Sequence, residues 1–218
     1  MRARFRTFVS VLALALLATS AQAIPVLQIY VEGATYDPNT ETWVTSQSDF
    51  KLWVVGDVDA FGPIQGATLT ASFFGLGGSI SFTPATTALI TDPSVSAGLA
   101  PVGSGTSDHP VLPPHGIFND ATLHHWEDWA MGDMSLTDSP IGDYNGSPAW
   151  PVSFPDNGQV NVYDVHVEGW TKVHFDAYGT TVDTTDGKAT TWKTPGSHDG
   201  QVPVQNETWD RVKAMYRD

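Results

Sequence analysis

The chain has 218 residues, with 24 acidic side chains, ten basic side chains and no cysteine. The lack of cysteine excludes disulfides, thiolate catalysis and cysteine-based zinc sites. Because the acidic balance repels phosphate backbones, nucleic acid is not expected as a partner.

An export signal is predicted at the N-terminus. Three arginines within the first six residues precede an apolar stretch over residues 8–17, and Ala21-Gln22-Ala23 supplies a small-x-small cleavage pattern. This stretch is shorter than the roughly 20 residues that a permanent transmembrane helix needs. We therefore expect residues 1–23 to be removed as a signal peptide and the protein to lie outside the cell or at its surface. A short uncleaved anchor is the alternative.

The mature chain is expected to begin at Ile24 and to be more acidic than the whole chain. All 24 acidic residues but only seven of the ten basic residues lie after residue 23, so its net charge is −17. Residues 24–205 contain short alternating runs separated by turn residues, which we interpret as one β-rich domain. Many short strands without alternating helices predict an antiparallel β-sandwich of the jelly-roll or immunoglobulin-like type.

The first half of this domain contains four clear strand patterns. They cover residues 26–32, 50–56, 67–74 and 79–83. We expect the strand over 79–83 to pair back onto the strand over 67–74. Residues 84–114 are rich in Pro, Gly, Ser and Thr, which indicates a long surface connection.

The pattern near the middle of the chain fits a short helix over residues 120–131. Asn119 or Asp120 would cap this helix, and Gly132 would end it. An irregular strand is the alternative, because the segment is rich in aromatic residues.

The strongest local signal is an expected hairpin over residues 160–178, folding back about Trp170. That register opposes Val165 to Phe175 on an apolar face and His166 to His174 on a polar face. One long strand bulged at Gly169 is the alternative. A second turn is expected at Asp186-Gly187.

Five segments of the mature chain resemble a known bacterial family. They are Tyr36-Asp37-Pro38 through Trp43, Phe50-Lys51-Leu52-Trp53-Val54-Val55-Gly56-Asp57, His115-Gly116-Ile117-Phe118, His174-Phe175-Asp176-Ala177-Tyr178-Gly179 and Ser197-His198-Asp199. In these segments the chain is similar to the choice-of-anchor N family of exported proteins. The resemblance implies a secreted domain of unknown biochemical activity, whose relatives carry different C-terminal sorting tags, often a PEP-CTERM segment. The present C-terminus departs from that tag, since it has no Pro-Glu-Pro and no apolar helix.

No motif indicates an enzyme. Ser107-Asp108-His109 contains the residue types of a catalytic triad, but contiguous side chains cannot converge as a triad does. Walker loops, dinucleotide fingerprints and His-Glu-x-x-His helices are absent from the sequence. A secreted glycosidase stays open as the least favoured function, because its two carboxylates can come from distant strands.

Acid-rich loops are candidates for calcium binding, because Ca²⁺ prefers oxygen ligands. Asp57 and Asp59 follow a predicted strand, and Asp138 and Asp143 lie in a predicted loop. Neither pair matches the spacing of an EF-hand. Solvated acidic loops are the simpler alternative.

Histidines supply a second set of candidate metal ligands. His166 and His174 would form a weak metal site if the hairpin register placed them opposite each other. His115 and His124-His125 are weaker candidates, because adjacent side chains diverge on a strand. Surface and packing roles are the alternative for all of them.

The eight tryptophans and six tyrosines are compatible with a carbohydrate-binding module, in which exposed rings stack on sugar faces. Trp43, Trp150 and Trp170 lie near turn signals and are the candidates for exposure. The alternative is that the rings fill the core, where aromatic side chains bury large areas.

The last 13 residues, 206–218, are expected to be a sorting or docking tail. On a helix Trp209, Val212 and Tyr216 would share one face. The basic residues of this segment are Arg211, Lys213 and Arg217. A frayed terminus or a docked helix is the alternative. Together these features predict a non-enzymatic secreted or cell-surface structural or matrix-associated protein, with extracellular polysaccharide as the candidate partner.

Overall fold

The computed structural model describes residues 24–37, 39, 42–74, 77–85, 99–106, 108–112, 124–145, 154–170, 172–195 and 199–202. These residues form two β-sheets that pack face to face, so the predicted β-sandwich is confirmed. One short helix, α1 (Val58–Phe61), is also present. Within the described residues, no helix has the length and hydropathy to span a bilayer.

The smaller sheet has five strands. In spatial order, four of them are β1 (Leu27–Val31), β4 (Asp49–Gly56), β10 (Asp156–Glu168) and β6 (Ser79–Pro84), and β9 (Ser139–Ile141) pairs with β10. All of these pairs are antiparallel. β6 is therefore an edge strand of this sheet.

The larger sheet has eight strands. Its spatial order is β2 (Thr35–Asp37), β3 (Thr42–Val44), β13 (Asp199–Val202), β11 (Lys172–Val182), β5 (Ile64–Phe74), β8 (His124–Met134) and β7 (Pro101–Thr106), and β12 (Ala189–Lys193) pairs with β11. β3 and β13 run parallel, while the other pairs are antiparallel. β7 is the edge strand on the side of β8.

Alternating apolar residues from both sheets meet between them. Leu27, Ile29 and Val31 of β1 are fully buried, as are Leu69 and Ala71 of β5. The sequence-predicted strands β1, β4, β5 and β6 are confirmed because each places its apolar residues on this inner face. The turn at Asp186-Gly187 is confirmed too, since β11 and β12 pair around it.

Aromatic rings join the two layers. Phe82 of β6 lies 4.7 Å from Trp129 of β8 between ring centroids, in an edge-on arrangement. Phe50 of β4 lies 5.8 Å from Phe175 of β11. Edge-on contacts of this kind favour fixed ring positions.

Two expected hairpins are wrong. β10 and β11 are both strands, but β10 belongs to the smaller sheet and β11 to the larger sheet, so His166 and His174 are not opposed. The alternative of one long bulged strand is wrong for the same reason. β6 likewise pairs with β10 and not with β5. In each case the two strands belong to different sheets, and their apolar faces meet across the core. Both faces are thus buried although the strands are not hydrogen-bonded to each other.

Two other expectations fail in the middle of the chain. β8 occupies His124–Met134, where a helix was predicted, because Trp129 and Met131 alternate onto the buried face of the sheet. The proposed cap at residues 119–120 lies outside the described residues. The connection over residues 84–114 contains strand β7, so it is not wholly a surface loop.

Candidate functional site

A groove lies at the β7 edge of the larger sheet. Leu99 N–H donates to Phe82 O at 2.9 Å, and the chain then passes from the edge of the smaller sheet into β7 of the larger sheet. At the start of β8, His125 is paired with Phe73 and Glu127 with Ala71, so both residues lie on the inner face of the larger sheet. We call the resulting cavity of about 370 Å³ the overhang groove. It is lined by Phe73, Ser104, Gly105, Thr106, His125, Trp126, Glu127 and Trp170.

Three rings form the floor and sides of the overhang groove. Phe73 is 3% exposed and stacks on Trp170, with 4.2 Å between centroids and 28° between planes. The His125 ring lies 6.2 Å from Phe73 and 6.3 Å from Trp170. Trp170 and His125 are each only half-buried, so part of each ring faces the groove.

The loop that carries Trp170 depends on glycine. Gly169 has φ of +80°, a left-handed conformation that side chains other than glycine rarely adopt. A Cβ at Gly169 would also lie 2.9 Å from Gly78 Cα, and a Cβ at Gly78 would lie 2.8 Å from the Trp170 ring. This close approach fixes Trp170 beside Phe73.

The edge strands supply the polar side of the overhang groove. The antiparallel register places Thr106 opposite His125 and Ser104 opposite Glu127, so the four residues share one face. Burial raises the pKa of the Glu127 carboxyl above its ordinary value. Glu127 is the single carboxylate among the described lining residues.

A buried network lies on the outer face of the larger sheet and centres on Asp128. The Thr70 hydroxyl donates to Asp128 Oδ1 at 2.6 Å, and the Tyr178 hydroxyl donates to Asp128 Oδ2 at 3.1 Å. His109 Nε2 also lies 3.1 Å from Oδ2. Burial and the nearby Asp128 carboxylate raise the pKa of Tyr178. These contacts satisfy a carboxylate that is buried under the segment carrying His109.

Hydrogen bonds fix the tautomer of His109. Its Nδ1 accepts from Val111 N–H at 3.1 Å and from Leu112 N–H at 3.0 Å, so this nitrogen carries no proton. The proton is therefore on Nε2 and is donated to Asp128. Both ring nitrogens are therefore engaged in hydrogen bonds, which hold the segment over residues 109–112 against Asp128.

A charged face lies on the outside of the smaller sheet. His166 Nδ1 lies 2.7 Å from Asp49 Oδ1, and Lys51 Nζ donates to Asp164 Oδ1 at 2.6 Å. All four side chains are 44% or more exposed. The hydrogen bond with His166 lowers the pKa of Asp49. A catalytic carboxylic acid needs a raised pKa, so Asp49 does not fit that role.

The predicted calcium ligands differ in their burial and in their local hydrogen bonds. Asp57 is buried and caps α1 by accepting from Ala60 N–H at 3.2 Å, while Asp59 is exposed. Desolvation by burial raises the pKa of Asp57. Asp138 accepts from the Ser139 hydroxyl, and Asp143 accepts from the Asn145 amide. Across the described residues, no three acidic or histidine side chains are arranged to hold a metal ion.

The predicted histidine pair is divided between the two sheets. His166 faces outward beside Asp49, whereas His174 is 3% exposed, with Nε2 lying 3.5 Å from Asp176 Oδ2. The hairpin-based metal site at these two residues is therefore wrong. His115 lies outside the described residues.

The three candidate sugar-binding tryptophans have different outcomes. Trp43 is 6% exposed and donates from Nε1 to Tyr144 O at 3.1 Å, so its expected exposure is wrong. Trp170 is half-buried and lines the overhang groove. Trp150 lies outside the described residues. So do the residues of the predicted sorting tail, which are Trp209, Arg211, Val212, Lys213, Tyr216 and Arg217.

Sequence reasoning did not identify most residues of the overhang groove. His125 and Glu127 alternate with Trp126 and Asp128, which is the pattern of a strand with two different faces. Because residues 120–131 were predicted to form a helix, this alternation was not recognised. Ser104 and Thr106 carried no signal, because they lie in a glycine-rich segment.

The chain matches no protein-family model, and no curated protein matches it. Among solved structures, it is similar to AvmM, which catalyses macrocyclization in alchivemycin A biosynthesis, with 6% identity, a TM-score of 0.35 and coverage of 84% of this chain and 92% of that chain. It is also similar to the collagen-binding subdomain of the Enterococcus faecalis surface protein ACE, with 7% identity, a TM-score of 0.28 and coverage of 84% and 99%. A DUF4466 family protein from Parabacteroides merdae has 9% identity, a TM-score of 0.24 and coverage of 80% and 44%. These scores are too low for any of the three proteins to inform the function of this chain.

Proposed function

We propose that this protein is exported and acts at the cell surface or in the extracellular matrix as a non-enzymatic protein. The predicted signal peptide and the mature net charge of −17 support the location. Its resemblance to exported choice-of-anchor proteins points the same way.

A non-enzymatic role is supported by the number of carboxylates in the groove and by the partners of the carboxylates and histidines elsewhere. The described lining of the overhang groove offers one carboxylate, Glu127, whereas a typical glycosidase needs two. His109 uses both ring nitrogens in structural hydrogen bonds. Asp49 and Asp164 on the charged face each lie against a basic side chain. Binding therefore fits these surfaces better than acid–base catalysis.

Export is tested by producing the full chain with its own N-terminus in a bacterial host. We expect the protein outside the cytoplasm, with an intact mass that begins at Ile24. The matched control is Leu14→Arg, which interrupts the apolar stretch of the signal and should retain the protein inside. Cytoplasmic protein that still carries residues 1–23 would refute the proposed location.

Surface retention is tested by deleting residues 206–218. If this segment is a sorting or docking tail, the truncated protein should leave the cell surface while keeping its melting temperature. A lower melting temperature with unchanged location would assign the segment to the fold instead.

The non-enzymatic role is tested by incubating the exported protein with soluble and insoluble polysaccharides and measuring new reducing ends. We expect none above a buffer control. Reducing ends that disappear with Glu127→Gln would show that the groove is catalytic and would overturn the proposal.

A further inference from the structure

The overhang groove combines ring surfaces with hydroxyl and carboxyl groups. We propose that it binds a neutral saccharide, with one sugar ring seated against Trp170 and His125 and its hydroxyls bonded by Glu127, Ser104 and Thr106. The inference rests on the proposed function only in placing the protein where extracellular glycans occur.

The rings provide the apolar part of this site. One face of a pyranose exposes C–H groups, which pack against aromatic side chains. Trp170 and His125 are 6.3 Å apart with planes tilted by 41°, so they form two inclined walls above the buried Phe73. The stack of Trp170 on Phe73 holds the first wall in place before a ligand arrives, which reduces the ordering cost of binding.

The polar groups lie along one side of those walls. Ser104 and Thr106 hydroxyls both donate and accept, and the Glu127 carboxylate accepts from up to two sugar hydroxyls. The β7–β8 register keeps these three residues on the same face as His125. Glu127 is half-buried, so hydrogen bonds to it compete less with bulk water than bonds to a surface carboxylate would.

Charge selects a neutral saccharide over an acidic one. The described lining contains no lysine or arginine, and Glu127 is its carboxylate. The mature chain has a net charge of −17, so its field repels uronic acids as well.

The test uses the protein purified from whichever compartment holds it, together with a panel of purified oligosaccharides. Cellohexaose, xylohexaose, mannohexaose and chitohexaose represent neutral chains, and hexagalacturonic acid represents acidic ones. Binding is measured by isothermal titration calorimetry and by tryptophan fluorescence. We expect at least one neutral chain to bind with a change in fluorescence and the acidic chain not to bind.

Groove variants assign the binding to this site. Trp170→Ala should abolish binding, and His125→Ala and Glu127→Ala should each weaken it by about tenfold. Phe61→Ala is the matched control. Phe61 is an aromatic ring that is 41% exposed, and it lies just before the first residue of β5, whereas the groove residue Phe73 lies near the last. His125→Ala and Glu127→Ala keep the test valid if Trp170→Ala lowers the melting temperature.

Three outcomes would overturn the saccharide site. They are no neutral chain binding at millimolar concentration, binding that is unchanged in the His125 and Glu127 variants, and preferential binding of hexagalacturonic acid. The location experiment is independent of these results. Retention in the cytoplasm with intact binding would refute export alone, and export without binding would refute the saccharide site alone.

Discussion

His109 lies beside Asp128 on the outer side of the larger sheet, and His166 lies beside Asp49 on the outer side of the smaller sheet. Of these two pairs, only the first is buried. The side chains of His109 and Asp128 are 3% and 10% exposed, whereas those of His166 and Asp49 are 48% and 75% exposed. The contact distances are similar, at 3.1 Å and 2.7 Å. The environment therefore distinguishes the pairs more than their geometry does.

Burial changes what each pair contributes to stability. In the buried network, every contact compensates for lost hydration, so removing one partner leaves another polar group without water or a partner. On the charged face, water replaces a lost partner at little cost, and salt screens the attraction. Four substitution experiments test this difference, from the largest expected effect to the smallest.

Asp128→Ala should produce the largest loss. It leaves the Thr70 and Tyr178 hydroxyls and His109 Nε2 without their acceptor, so the free energy of unfolding should fall by about 3 kcal/mol. Urea unfolding measures the change. The matched control is Asp164→Ala on the charged face, with an expected loss below about 1 kcal/mol. Equal losses in the two variants would contradict the comparison.

His109→Ala should lower the free energy of unfolding by about 2 kcal/mol, because Val111 N–H and Leu112 N–H lose their acceptor. His166→Ala is its counterpart on the charged face and should cost less than about 0.5 kcal/mol. The same urea experiment serves both. If His109→Ala were as mild as His166→Ala, the segment around His109 would not depend on this imidazole.

Tyr178→Phe should cost about 1 kcal/mol at neutral pH, since it removes one hydrogen bond to Asp128. The folded state raises the pKa of Tyr178 above its ordinary value of 10.0. The stability linked to that proton is thus present below pH 10 and is lost as the pH rises through the folded pKa. We expect the difference between wild type and Tyr178→Phe to shrink above about pH 10. A difference that grows with pH would reverse the assigned direction.

Asp49→Asn should have the smallest effect. The hydrogen bond with His166 lowers the pKa of Asp49 from its ordinary value of 3.8, so its contribution is present above pH 3.8 and is lost as the pH falls through the folded pKa. Thermal unfolding should show a slightly lower midpoint for the variant at neutral pH and no difference in strong acid. The difference should also shrink in about 1 M NaCl, where the Debye length is short. A difference that survives both conditions would mean that the pair is not a solvated surface contact.

Local patterns predicted the strands whose apolar residues alternate, and they failed where packing overrides propensity. β7 contains Gly103 and Gly105, which disfavour a strand in isolation. A Cβ at Gly105 would lie 2.5 Å from the Trp126 ring, so packing against Trp126 requires glycine at this position. The same glycine kept the sequence pattern from indicating a strand. The segment before Met131 fits a helix by spacing, but its apolar residues reach the core only as a strand.

Of the groove residues, the sequence singled out Trp170, as an aromatic residue at a turn, and His125, as a weak candidate metal ligand. His125 and Glu127 come from β8, Ser104 and Thr106 from β7, and Phe73 from β5. Their proximity depends on strand pairing over long separations in sequence. No local signal carries that information.

The β-rich class, the strands with alternating apolar residues and the turn at Asp186-Gly187 follow from local patterns, because alternation and glycine conformation act over a few residues. The placement of β10 and β11 in different sheets depends on tertiary packing. Alternation defines an apolar face but not its partner, since hydrophobic burial is non-directional and is satisfied equally beside a strand or across the core. That choice of sheet also placed Trp170 on a connection between the layers, where the overhang groove forms.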